Sequence, residues 1–314
     1  MEKELNPHIS IVSPVYGAAE ILSELVKAIH GEVSKITNHY EILLVEDHSP
    51  DKSWLEIERI CLEDAHVKGI KLSKNYGQHN AIAAGLHNVT GDYVVVMDCD
   101  LQHNPKYILN LLNKAKDGFD VVYTITPKRK HGIIKNFFSG CFHMIFNFLV
   151  GVKEVTTDGQ IGTYSLITRK VVEAYKLFND DYRPYLVILN LVGFNQGYQM
   201  IEHEKRYSGK SSYNFKKLFN HALNGIISQT NRLLMLSIYV GILYTILSFT
   251  AGIYILIKAM IGQFYPGWAS LIILLLFNTG IILLFLGIIG IYISRIFLQV
   301  KGRPLYLIDR KLNF

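Results

Sequence analysis

The sequence predicts an α/β fold: a mostly parallel sheet with flanking helices, followed by interfacial helices and a two-helix transmembrane hairpin. Three observations carry that expectation. Up to residue 125, short apolar runs rich in β-branched residues alternate with longer helical stretches, the pattern of a parallel sheet wrapped by helices. Two later runs, Leu233 to Ile257 and Gly267 to Ser294, contain no charged residue, and each exceeds the roughly 20 apolar residues needed to cross a bilayer. Acidic or turn-forming clusters also follow several predicted strands, which is where open α/β sheets bind ligands.

Taken in order, HISIVSP (8–14), YEILLVED (40–47), VKGIKLS (67–73), DYVVVMD (92–98) and DVVYTI (120–125) read as strands. Between them, 19–36, 51–65, 78–89 and 104–117 read as helices, the second introduced by Ser49-Pro50 as a cap followed by proline. There are no internal repeats and no low-complexity linkers. The clusters at strand ends are SPVYG (13–17), EDHS (46–49), KNYG (74–77) and DCDLQ (98–102). No G-x-G-x-x-G follows the first strand and no P-loop is present, so a dinucleotide enzyme or a phosphate-cradling ATPase is not supported.

Half of the residues are hydrophobic (50%) and only 18% are charged, an excess that the two uncharged runs account for. The link between them, Lys258 to Gly267, carries a single Lys. The outer flanks are basic: Lys205, Arg206, Lys210, Lys216, Lys217 and Arg232 precede the first run, and Arg295, Lys301, Arg303, Arg310 and Lys311 follow the second. The positive-inside rule therefore places both termini in the cytoplasm, with Tyr265 and Trp268 at the opposite interface. Residues 1–20 show no charged-then-apolar leader, so the N-terminal region is expected in the cytosol of a bacterial cell, with the chain held in the inner membrane. The expected organisation is a catalytic domain over 1–212, a juxtamembrane amphipathic helix over 213–232, spans over 233–257 and 268–294, and a basic cytoplasmic tail over 295–314. Segments 133–150 and 214–230 are apolar and aromatic enough to lie in the interface, although a core helix explains the first equally well. Cys61, Cys99 and Cys141 have no metal-binding spacing and read as free thiols in a reducing compartment. The net charge of +6 points to membrane lipid headgroups and phosphates, and no motif for nucleic acid is present.

The stretch VVVMDCDLQHNP, Val94 to Pro105, holds the chemistry. A buried strand ends in Asp98 and Asp100, and once the strand alternation breaks both side chains can turn to one point. Mg2+ and Mn2+ prefer such oxygen ligands and are commonly held by one or two carboxylates plus substrate phosphates. Such an ion neutralises charge on a diphosphate leaving group.

Together SPVYG, LLVEDHS, LSKNYGQHNAIAAG, VMDCDLQ and KRYSGKSSY make the chain resemble the family 2 glycosyltransferases of the GT-A fold. The branch it is most similar to is the polyprenyl-phosphate, dolichol-phosphate-mannose-synthase-like group, and the resemblance covers residues 8 to about 230. It implies that Pro14, Tyr16 and Asp47, with Lys74, hold the nucleotide. Asp98 and Asp100 hold the nucleotide and the metal, Mg2+ or Mn2+, with Gln102 beside them. Arg206, Lys210, Ser211 and Tyr213 lie in the Arg-x-x-Gly-x-Ser-x-Tyr segment near the phosphates and the acceptor. A homo-oligomer is implied in the same way. The plainer readings are that Asp47 caps the following helix, Arg206 and Lys210 are solvated charges, Tyr213 is an interfacial anchor, and His79 and His103 are polar loop residues.

Several positions depart from the family pattern. Gly17 stands where Asn is common, Glu46 and His48 replace Asp and Gly, and His103-Asn104 replaces Asp-Pro. Thr163 and Thr126 stand where an aspartate and an arginine are frequent. A lipid phosphate is already ionised and can attack without a base; Asp158 is the fallback if a residue assists. The expected activity is inverting transfer of a sugar from a nucleotide-diphosphate sugar, UDP-sugar being the leading donor, to polyprenyl (undecaprenyl) phosphate. The rivals are a family 2 transferase using a glycan or lipid-linked saccharide hydroxyl, and a catalytically weak membrane assembly subunit.

Overall fold

Apolar runs with no polar face become strands buried on both sides. Ile9–Val15 (β1) is buried at all seven positions and Tyr40–Glu46 (β2) at six of seven. The computed structural model describes residues 6–127, 159–180, 183–202, 232–261 and 267–314. The further described elements are α1 (Leu22–Val33), α2 (Ser53–Glu63), β3 (Val67–Leu72), α3 (Gln78–Asn88), β4 (Tyr93–Val96), a 3₁₀ turn (Pro105–Tyr107) and α4 (Ile108–Lys116). They are followed by β5 (Val121–Pro127), β6 (Gly159–Thr168), α5 (Arg169–Lys176), α6 (Tyr185–Val192), β7 (Gln196–Met200), α7 (Arg232–Met260), α8 (Trp268–Val300) and β8 (Ile308–Leu312).

The chain divides into two compact units, one of residues 1–130, 156–211 and 304–314, the other of 131–155 and 212–303. The first holds a sheet of order β7-β5-β6-β4-β1-β2-β3-β8. Strands β4, β1, β2 and β3 run parallel, as do β5 and β7. Strand β6 enters antiparallel between β4 and β5, and β8 closes the β3 edge antiparallel. Side-chain alternation along each strand feeds two cores. Ile9, Ile11, Ile42 and Leu44 pack with Leu22, Ile29, Ile57 and Leu111 on one face. Val12, Leu43 and Val45 pack with Ala81, Ile82, Ala84 and Ile188 on the other.

At the amino ends of the strands one buried carboxylate ties four segments together. Glu41 Oε1 accepts from the Ser10 hydroxyl at 2.5 Å and from the Thr90 N–H and hydroxyl at 2.7 and 2.8 Å, and Oε2 meets Lys68 Nζ at 2.8 Å. Ser10 Oγ in turn accepts from the Gly91 N–H at 2.8 Å.

In the second unit α7 and α8 are long and apolar enough to cross a membrane, their strongest windows being Ser237–Tyr254 and Phe277–Val300. Ile246, Leu247, Leu283 and Leu284 are all more than half exposed, which suits a lipid surround rather than a protein core. Tyr244 donates a hydrogen bond to Asn278, linking the two helices.

The structure corrects the sequence reading in places. Residues 308–312 of the expected tail form β8, because Ile308 and Leu312 reach the core while the charged side chains between them stay exposed. Strands β6 and β7 and helices α5 and α6 extend the domain beyond the predicted elements. Ser49 does not cap α2: that helix starts at Ser53, and the Ser49 hydroxyl instead accepts from the Gly17 N–H at 3.1 Å. Segments 133–150 and 214–230, and the 213–232 helix apart from Arg232, lie outside the described residues.

Candidate active site

The carboxyl ends of β1 to β4 open into one cleft of about 340 Å³, lined by Pro14, Val15, Tyr16, Asp47, Asn75, Gly77, Gln78, Asp98, Cys99 and Asp100. Four chain reversals build it, and each has a residue in the left-handed region: Gly17 (φ 65°), His48 (φ 54°), Gly77 (φ 88°) and Leu101 (φ 57°). This geometry accounts for one departure from the family pattern. Glycine and asparagine both tolerate positive φ, so Gly17 suits the place where Asn is common. His48 occupies a left-handed position that the usual glycine would adopt without strain.

Strand β4 stops at Val96, and the alternation breaks there, so Asp98 and Asp100 both face the cleft. Asp98 Oδ1 accepts from Gln78 Nε2 at 2.7 Å, and its Oδ2 accepts from the Thr163 hydroxyl at 3.2 Å. Asp100 Oδ1 accepts from the Gln102 N–H at 3.1 Å. Burial pushes the Asp98 carboxyl above its ordinary range; His103 opposes this, the Asp100 charge adds to it, and the Thr163 and Gln78 hydrogen bonds oppose it. His103 is buried and stacked on Tyr164 at 5.1 Å, so it is no open loop residue. His79 Nδ1 accepts from the Tyr185 N–H at 3.3 Å.

Asp47 does not cap α2 either. Its two oxygens accept from the Tyr76 and Gly77 N–H groups at 2.7 and 2.8 Å, clamping the β3–α3 loop against the cleft. Burial raises its carboxyl against the pull of those two amides. Tyr16 is 55% exposed at the mouth of the cleft, an aromatic side chain open to stacking.

The sequence-derived residues thus divide three ways. Pro14, Tyr16, Asp47, Asp98 and Asp100 share the cleft. Lys74 lies in the adjoining loop, exposed, with Nζ 4.9 Å from the Tyr76 ring, and Gln102 is half-buried behind Asp100. Asp158, Arg206, Lys210, Ser211 and Tyr213 lie outside the described residues. Gln78 was given no role from sequence although it stands in the KNYGQHN motif; its amide is the direct partner of Asp98. A smaller depression of about 260 Å³ between α1 and α2 has its Arg59 and His30 paired with Glu63 and Asp64.

The donor set suits a hard divalent cation. Asp98 and Asp100 face the cleft together, with Asp47 also in its lining but engaged by two backbone amides, and burial pushes the Cys99 thiol between the first two up to about 12, so no thiolate competes. No cluster of three or more His, Cys, Asp or Glu among the described residues could hold a metal. A divalent cation held by Asp98 and Asp100 would need further oxygen ligands from outside the protein, as Mg2+ commonly does.

Residues 10–176 match the model of the family described as Glycosyl transferase family 2. An uncharacterized glycosyltransferase of Synechocystis sp. is 32% identical over 303 residues, covering 96% of this chain and 94% of that one. The undecaprenyl-phosphate 4-deoxy-4-formamido-L-arabinose transferase of Enterobacter sp. is 32% identical over 317 residues, covering 97% and 94%. Among solved structures, glucosyl-3-phosphoglycerate synthase of Mycobacterium tuberculosis, in complex with Mn2+, UDP and phosphoglyceric acid, aligns with a TM-score of 0.50 at 13% identity over 72% of this chain and 78% of that one. That last likeness speaks for the fold. By family match and by near-full-length relatives, this chain belongs to glycosyl transferase family 2, and its sheet is that of the GT-A fold.

Proposed function

We propose that the protein transfers a sugar, with inversion, from a nucleotide-diphosphate sugar to a polyprenyl phosphate at the cytoplasmic face of a bacterial inner membrane. The observation that carries this reading is the placement of Asp98 and Asp100 in the same cleft as Tyr16 and Asp47. A UDP-sugar is the leading donor, its base stacking on Tyr16. Asp98 and Asp100 are the residues that would hold Mg2+ or Mn2+, which when bound offsets the charge of the departing diphosphate. The acceptor phosphate oxygen attacks the anomeric carbon opposite the diphosphate; the new C–O bond forms as the old one breaks, and the nucleoside diphosphate leaves. No proton needs removal from an ionised phosphate, which agrees with Thr163, a residue unable to act as a base, standing beside Asp98. Arg206, and with it Lys210, is proposed from sequence to offset charge on the phosphates. The full-length relative named for undecaprenyl phosphate supports the acceptor, and α7 and α8 supply the means to reach it.

The test is transfer of label from a panel of nucleotide sugars to polyprenyl phosphate in membranes containing the protein. A labelled lipid whose sugar is released intact by mild acid is expected. Thr163→Ala should keep turnover within about tenfold of wild type, the loss of one hydrogen bond to a charged group. An acid-stable linkage, or a Thr163→Ala enzyme with no turnover, favours a hydroxyl acceptor.

The pairing of β8 with β3 also bears on topology, because the chain after α8 must return to the side that holds the sheet. Single cysteines at Glu20 and Gln263, in a background without native cysteines, should differ in labelling by an impermeant thiol reagent on intact cells, only Gln263 reacting. Equal labelling sinks the hairpin.

A further inference from the structure

We infer that the segment following α8 is part of the donor site: residues 306–313 set the position of the loop that Asp47 clamps, with Leu307 acting as a positioning residue through its backbone carbonyl. This inference rests on the donor reading above.

The connection is continuous and built from short bonds. The Leu307 carbonyl accepts from the Ser73 N–H at 2.9 Å, at the point where β3 gives way to the loop. Ser73 Oγ and the Tyr76 hydroxyl lie 3.1 Å apart, and the Tyr76 and Gly77 amides then donate to Asp47. Gly77 is followed directly by Gln78, whose amide holds Asp98. One path of neighbouring residues therefore runs from Leu307 to Asp47 and Asp98 in the cleft.

The segment is anchored far more firmly than a trailing end requires. Asn313, at φ 60°, donates through Nδ2 to the Cys61 and Val67 carbonyls at 2.7 and 2.8 Å. Lys311 Nζ donates to Asn88 Oδ1 at 2.6 Å, and the Tyr306 hydroxyl shares a 2.6 Å hydrogen bond with His87 Nδ1. His87 and Asn88 end the helix that Gln78 begins, so the segment holds α3 at its far end and the loop at its near end. Helix α8 stops at Val300, so only residues 301–306 separate the apolar hairpin from Leu307.

The experiment compares the full chain with Ser73→Pro, which removes the N–H that Leu307 accepts, with Ser73→Ala, which keeps it, and with a chain lacking residues 306–314. Hydrogen exchange at the Tyr76 and Gly77 amides reads the loop directly, and calorimetry with UDP and Mn2+ reads the site. Ser73→Pro and the shortened chain should exchange both amides at least tenfold faster than wild type and bind UDP at least tenfold more weakly. Ser73→Ala, which keeps the N–H and loses only the hydroxyl beside Tyr76, should fall between wild type and Ser73→Pro in both. Wild-type protection and affinity in a folded shortened chain overturn the inference; where the shortened chain does not fold, the same result in Ser73→Pro overturns it. A wild-type chain that fails to bind UDP overturns the donor reading instead, and the exchange rates alone then decide the coupling.

Discussion

Replacing Asp100 by Asn is expected to lower turnover roughly a hundredfold or more while leaving the fold intact. The substitution keeps a carbonyl oxygen where Asp100 Oδ1 accepts from the Gln102 N–H, so the turn after β4 should persist. What it removes is one of the two carboxylate charges that follow β4 into the cleft. A site left with Asp98 alone, its carboxyl already pushed up by burial, holds a divalent cation more weakly. The loss should therefore shrink as Mn2+ is raised. Steady-state rates across a Mn2+ titration check this, with a melting curve to confirm folding. Wild-type rates in the variant, or in wild type under excess chelator, remove the cation from the mechanism.

The second large effect is on stability. Glu41→Ala strips the acceptor from Ser10, Thr90 and Lys68 at once and leaves a mostly buried ammonium without its counter-ion, at a cost of about 3 kcal/mol. Glu41→Gln should cost less, since its carbonyl can still accept from Ser10 and Thr90. Burial alone would raise the Glu41 carboxyl, but hydrogen bonds from Lys68, Ser10 and Thr90 outweigh it and hold the group below its ordinary value of 4.5. The sign follows from linkage. A depressed carboxyl contributes stability that is present above the unfolded value and lost as pH falls through the folded one. Urea titrations read by Trp54 fluorescence in a Trp268→Phe background should show wild type losing stability below about pH 4.5 more steeply than Glu41→Ala. Identical pH slopes would place the network's stabilisation elsewhere.

Much of this architecture was legible because β1 and β2 are buried on both faces and must be written in apolar residues. The two acids were legible for a different reason: they sit one residue apart, so their convergence is local. Their partners were not, since Gln78 at the start of α3 and Thr163 in β6 reach Asp98 from elements far apart in sequence. Strand β6 was hidden by Gly159, Gln160 and Gly162, which blur any alternation. Strand β8, IDRKL, looks like a basic tail because an edge strand carries charge on its open side. The same letters serve a solvated tail and a sheet edge, and only the partner strand distinguishes them.

That edge strand has a consequence for biogenesis. Strand β8 is translated after both apolar helices, yet it pairs with β3, made more than two hundred residues earlier. While the ribosome is still making α7 and α8, the β3 edge has no partner and the loop after it has no Leu307 to lean on. The sheet closes only once the hairpin has been synthesised, so an incompletely made chain exposes an open edge to quality control.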